Sequence, residues 1–149
     1  MKIGQPIDLG GGFWRRNRLE SGASVDELRG QNIPFNSKVI DRTEALKRIV
    51  SHKSTDIRLT SYLRPGAVYR IGMRFVRVLA AYQGEVRCDH RKKVTFHLHR
   101  MVEAPKAERL LEWFVPETGV SEKQEDGMER VVTEGARRGI KVAVLRVPD

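Results

Sequence analysis

The alternation of apolar and polar positions divides the chain into a loose beginning, a strand-like middle and a helix–strand ending. Residues 1–38 have little periodicity: the glycines at 10–12, Ser21–Gly22, Pro6 and Pro34 all mark turns. One short helix is predicted within them, with Ser24 and Glu27 at capping-box spacing and Gly30 as a left-handed stop. A longer helix is predicted over 41–52. There Asp41 and Glu44 repeat the capping-box spacing, and Ala45, Leu46, Ile49 and Val50 form an apolar stripe. The period then shortens to two. Ile57, Leu59 and Leu63 alternate with Arg58, Thr60, Tyr62 and Arg64, which predicts a strand ended by Pro65–Gly66.

Residues 67–83 read as a long strand, bulged near Gly72 or Phe75 where the alternation slips. A hairpin is predicted from 84–90 and 92–102 around Arg91, Lys92 and Lys93. Pro105 suits the first turn of a helix over 105–114 with Leu110, Leu111 and Phe114 inward. Ser121 and Gln124 cap another helix, with Met128, Val131, Val132 and Ala136 inward and Gly139 as its stop. The nearly continuous apolar run 140–147 reads as a central strand. These elements define an α+β single domain: a mainly antiparallel sheet, helices packed on one face, and a Gly-rich N-terminal arm. The expected division is a flexible basic arm with a short helix over 1–38 and the α+β domain over 39–149.

Charge changes this picture more than composition does. Lys and Arg number 28 against 19 acidic residues in 149, a net charge of +9. Residues 41–104 alone carry +8, from 14 basic and 6 acidic side chains. Such a balance bears on partners rather than fold. On the predicted strands Arg58, Tyr62, Arg64, Arg70, Arg74, Arg77 and Arg87 fall on or near one solvent face. Arg91, Lys92 and Lys93 extend it at the hairpin turn, and His97 and His99 along the last strand. Arg15 and Arg16 follow Phe13 and Trp14 in an arm that either packs on the domain or clamps a ligand.

Zinc chemistry is tested by Cys88, His90, His97 and His99. Strand parity places Cys88 inward and His97 and His99 outward, so no metal and no cofactor are expected. His90-x-Lys92-x4-His97 is similar to the His-x-Lys-x4-Asp pattern of phospholipase D-type phosphodiesterases, but His97 replaces the aspartate and the family is not carried over. The charge pattern therefore reads as a non-enzymatic nucleic-acid-binding protein, RNA favoured over DNA, contacting phosphates through an arginine-rich sheet face. The alternatives are a structural assembly protein of viral matrix type, on anionic membrane or ribonucleoprotein, and a phosphodiesterase or nuclease. An acidic protein and a homodimer contact are the remaining partner readings. With no signal peptide or membrane span in the sequence, the expected compartment is cytoplasmic or nuclear.

Overall fold

The computed structural model describes residues 2–15, 25, 29–30, 40–44, 48–82, 85–88, 94–97 and 107–149, with 85–88 and 94–97 given by their backbone alone. A five-stranded sheet is built from β1 (Gln5–Pro6), β2 (Arg42–Glu44), β3 (Arg48–Ser54), β6 (Glu108–Pro116) and β7 (Ile140–Val147), in the order β1-β7-β6-β3-β2. The ladders β1–β7, β7–β6 and β6–β3 are parallel, and only β3–β2 is antiparallel. A separate antiparallel pair joins β4 (Glu85–Cys88) to β5 (Val94–His97). The sheet is thus mixed, not mainly antiparallel as expected. Parallel neighbours require crossover connections, and helix α2 (Glu122–Arg137) supplies one between β6 and β7.

Helix α1 (Ala67–Ala81) and α2 pack on one face of the sheet, against Ile49, Leu111, Trp113, Ile140, Val142 and Val144. The other face of β6 and β7, with Phe114, Leu145 and Val147, is covered by Leu9, Phe13, Trp14 and Val25. Phe13 is fully buried, meets Trp14 edge to face at 4.8 Å, and Trp14 Nε1 donates to the Val147 carbonyl at 2.9 Å. Of the short helix expected at 24–30, only Val25, Arg29 and Gly30 are described, the first two helical.

Three expected elements are of the opposite type. Residues 42–44 and 48–54 pair as the antiparallel strands β2 and β3 instead of forming a helix, because β3 pairs along seven residues with β6. The capping-box residues are used differently: Asp41 accepts from the His52 backbone, and Glu44 pairs with Arg42 and Arg48. Residues 67–81 form α1. The slip at Gly72 and Phe75 is a change to helical period, since Val68, Gly72, Met73, Val76 and Leu79 are the buried stripe. Residues 108–116 form β6 instead of a helix, buried on both faces as central parallel strands are. The strand expected over 57–63 is a turn ending in a 3-10 segment at Thr60–Tyr62. It leaves Leu59 and Leu63 57% and 59% exposed.

The last helix and strand form where expected, but the buried stripe is narrower: Val132 is half-buried and Ala136 is exposed, with Gly135 buried instead because it lies against Val142. Ser121 Oγ accepts from Gln124 N, Gln124 Oε1 accepts from Ser121 N, and Met128 and Val131 are buried. Gln124 also donates to the carbonyls of Ile57 and Tyr62, tying the cap to the turn before α1. Gly72 lets the helix layer approach the sheet: a Cβ there would lie 2.6 Å from Val131 and 2.8 Å from Trp113.

Candidate active site

Four places among the described residues hold a carboxylate on buried or clustered polar partners, and their surroundings differ. Arg146 and Glu125 pair between β7 and α2 with side chains only 3% and 9% exposed, and Arg146 also donates to the Ile3 carbonyl. That pair is core. Arg58 is clamped by Asp56 and Asp149, whose hydrogen bonds hold its guanidinium well above the ordinary range. That clamp lies at the surface and ties the turn after β3 to residue 149.

The third place is Glu112, midway along β6. Its side chain is 4% exposed and both oxygens are engaged. Arg42 donates to Oε1 at 2.5 Å, His52 Nε2 lies 3.2 Å from the same oxygen, and Arg29 donates to Oε2. Burial pushes this carboxyl up, but hydrogen bonds from His52, Arg29 and Arg42 outweigh it and hold it at about 2. Among the described residues, both oxygens of this carboxylate are taken by partners.

The fourth place is the open end of the β2–β3 hairpin. Asp41 is buried, and its Oδ2 accepts from the backbone N–H of His52 at 2.6 Å. The carboxylate therefore sits at the edge of β3, between the levels of Ser51 and Lys53. By strand alternation Ser51 and Lys53 share the face of Ile49, the side on which α1 lies. Ser51 is buried. Lys53 is half-buried, with Nζ 5.9 Å from the Phe75 ring of α1. Phe75 is braced edge to face on Trp113 at 6.0 Å. An acceptor carboxylate, a hydroxyl and an ammonium group thus lie at one strand end, the ammonium over the Phe75 ring.

No group of three His, Cys, Asp or Glu converges among the described residues. Asp41 offers one carboxylate at this end, so the described side chains do not by themselves complete a divalent-ion site.

Among the described residues, those expected to bind nucleic acid do not share one sheet face. Arg58 is in the ion-paired turn, Tyr62 is half-buried in the 3-10 segment, and Arg64 is exposed in the loop before α1. Arg70, Arg74 and Arg77 are exposed on α1 at spacings of four and three, so they form a helical stripe. Arg15 ends a 3-10 turn and is exposed. Arg87 and His97 lie in the backbone-only pair, where Cys88 is opposite Val94 and His97 opposite Glu85. Arg16, Arg91, Lys92, Lys93, His90 and His99 lie outside the described residues. Sequence reasoning missed Asp41, Ser51 and Lys53. Their signal was a carboxylate ten and twelve residues before a serine and a lysine of one parity, which a helix assigned to 41–52 conceals.

A mixed sheet with two helices on one face and a polar group at a strand end defines an α+β domain, and comparison places it more narrowly. The family model described as the CDI toxin restriction endonuclease-like domain matches residues 21–145, and the chain belongs to that family. Among solved structures, the chain is similar in fold to the CdiA-CT/CdiI toxin and immunity complex from Yersinia pseudotuberculosis. The TM-score is 0.58 at 24% identity, over 77% of this chain and 86% of that one. No curated protein matches the chain significantly. Membership in a restriction endonuclease-like toxin family overturns the expected non-enzymatic RNA-binding protein, and with it the viral matrix-type alternative. The basic surface was read without the site beside it, and charge alone does not distinguish a binder from an enzyme that holds phosphates. No described helix is long and apolar enough to cross a membrane.

Proposed function

We propose that this chain is a nuclease toxin domain that hydrolyses phosphodiester bonds in DNA, with Asp41 and Lys53 as reacting groups at the open end of the β2–β3 hairpin. The observation that carries the reading is the placement of a buried carboxylate on the His52 N–H beside a half-exposed lysine, in a chain whose family is restriction endonuclease-like. Phosphodiester hydrolysis needs a water directed at phosphorus and compensation for the charge that builds on the phosphoryl oxygens. The Asp41 carboxylate orients that water and takes its proton as the new P–O bond forms, while the ester P–O bond breaks and the departing sugar oxygen takes a proton from solvent water. The Lys53 ammonium stands against the developing negative charge. Ser51 supplies a hydroxyl hydrogen bond from the same strand.

Around these groups the exposed Arg70, Arg74 and Arg77 of α1, with Arg64 before it, serve to hold the nucleic-acid backbone. The solved relative is a toxin held with an immunity protein, and a cognate inhibitor protein is the partner proposed for this chain.

The test is incubation of purified chain with linear duplex DNA, supercoiled plasmid and RNA, with products resolved on gels. Cleavage of both DNA forms, lowered at least about 100-fold by Lys53→Ala, is expected. Cleavage of RNA alone would overturn the substrate assignment, and no cleavage of any substrate would overturn the enzyme.

A further inference from the structure

Glu112, which takes three cationic or imidazole partners, stands on the reverse face of the sheet from the candidate active site. His52 lies between Ser51 and Lys53 in β3, so alternation turns its side chain to the reverse face of the sheet. Arg42 follows Asp41 and also reaches that face. Arg42 from β2 and His52 from β3 converge there on one oxygen of one carboxylate, Glu112 Oε1. Glu112 belongs to a different strand and is the register partner of His52 in the β3–β6 ladder. Arg42 Nη1 is also 2.5 Å from His52 Nε2, so the three side chains form a closed triangle. The other oxygen is taken by Arg29.

We propose that Glu112 is a positioning residue for the nuclease reaction, holding Arg42 and His52 from behind and so fixing the hairpin end that carries Asp41, Ser51 and Lys53. The inference rests on the assignment of Asp41 and Lys53 given above. The constraint has a continuous path. Glu112 holds the His52 ring, the ring holds the β3 backbone, and the His52 N–H holds Asp41 at 2.6 Å. Glu112 itself cannot reach substrate, since its side chain is 4% exposed and both oxygens are occupied. A misplacement of about 1 Å of reacting groups costs about 100-fold in rate, so a device that pins both hairpin strands has a catalytic consequence without touching the substrate.

The experiment measures steady-state DNA cleavage and thermal unfolding of the full chain carrying Glu112→Gln, Lys53→Ala, or both. Glu112→Gln is expected to lower kcat about 10- to 100-fold with KM within about twofold, at a temperature well below its unfolding transition. In the Lys53→Ala background it should add little further loss, because a residue that acts through the site is not additive with it. Full activity of Glu112→Gln, or a loss additive with that of Lys53→Ala, would overturn the positioning role. Full activity of Lys53→Ala alone would instead overturn the underlying site assignment, which separates the two failures. Should Glu112→Gln not fold, His52 decides. His52→Leu is expected to lower kcat and His52→Gln, which restores a hydrogen-bonding nitrogen, to recover most of it. Equal activity of these two variants would overturn the inference.

Discussion

The backbone N–H of His52 donates to Asp41 Oδ2 at 2.6 Å, so a side chain at the start of β2 completes the hydrogen bonding of β3 between Ser51 and Lys53. That bond brings a carboxylate to the strand end where Lys53 emerges.

Loss of either reacting group should leave a folded but inactive protein. Asp41→Asn retains an oxygen to accept from His52, and Lys53→Met retains most of the apolar stem beside Phe75. Each is expected to lower DNA cleavage by at least about 100-fold, with the far-ultraviolet circular dichroism unchanged. Wild-type cleavage by either variant would move the reaction elsewhere.

The α1 stripe should act on affinity and its salt dependence. Replacing Arg70, Arg74 and Arg77 together by Gln is expected to weaken DNA binding and to reduce the log–log salt slope by about 0.9 for each phosphate no longer neutralised. Fluorescence anisotropy with labelled duplex across a salt series, on a Lys53→Ala background to prevent cleavage, measures this. An unchanged slope would remove the stripe from the binding surface.

Glu112 gives stability a defined acid limb. Its carboxyl is held at about 2 in the folded chain against an ordinary value of 4.5. A depressed carboxyl contributes stability above its unfolded value and loses that contribution as pH falls through the folded one. On the order of 3 kcal/mol is at stake, from about 1.4 kcal/mol per pH unit. Urea unfolding of wild type and Glu112→Gln should therefore differ most above pH 4.5 and converge toward pH 2. A difference constant with pH would contradict the ion-pair account.

Gly72 is the point of closest approach between the helix layer and the sheet. Alanine would ordinarily favour a helix interior by about 1 kcal/mol. Here its Cβ would lie within 2.8 Å of the buried Trp113 ring, so Gly72→Ala should destabilise by about 1–3 kcal/mol. The shift is measured by denaturant unfolding followed through tryptophan fluorescence. A stabilised variant would show that α1 packs otherwise.

The final helix and strand, 121–147, were legible locally. The Ser121–Gln124 box, the Met128–Val131 stripe and the Ile140–Val147 strand need only neighbours within a few residues, or continuous apolar character, to be recognised. The middle was not, because its signals compete. Asp41-x-x-Glu44 satisfies a helix cap as well as it satisfies a strand end, and Ile49–Val50 fits either period. The arginines of 70–77 are outward on a strand or on a helix, so their exposure was legible while the element that carries them was mistaken.

Sequence by itself determined the charge, the strongly capped helix and the apolar strand beside it, since propensity, capping and burial there all agree within one short window. Only tertiary structure decided that 41–54 is a hairpin, through the seven-residue parallel ladder with β6, a partner more than fifty residues away. The same ladder brings Glu112 behind His52, and the hairpin brings Asp41 to Lys53. A site made from residues on separate strands exists only once those strands are in register. Its chemistry was therefore present in the composition of the chain but not in any local pattern.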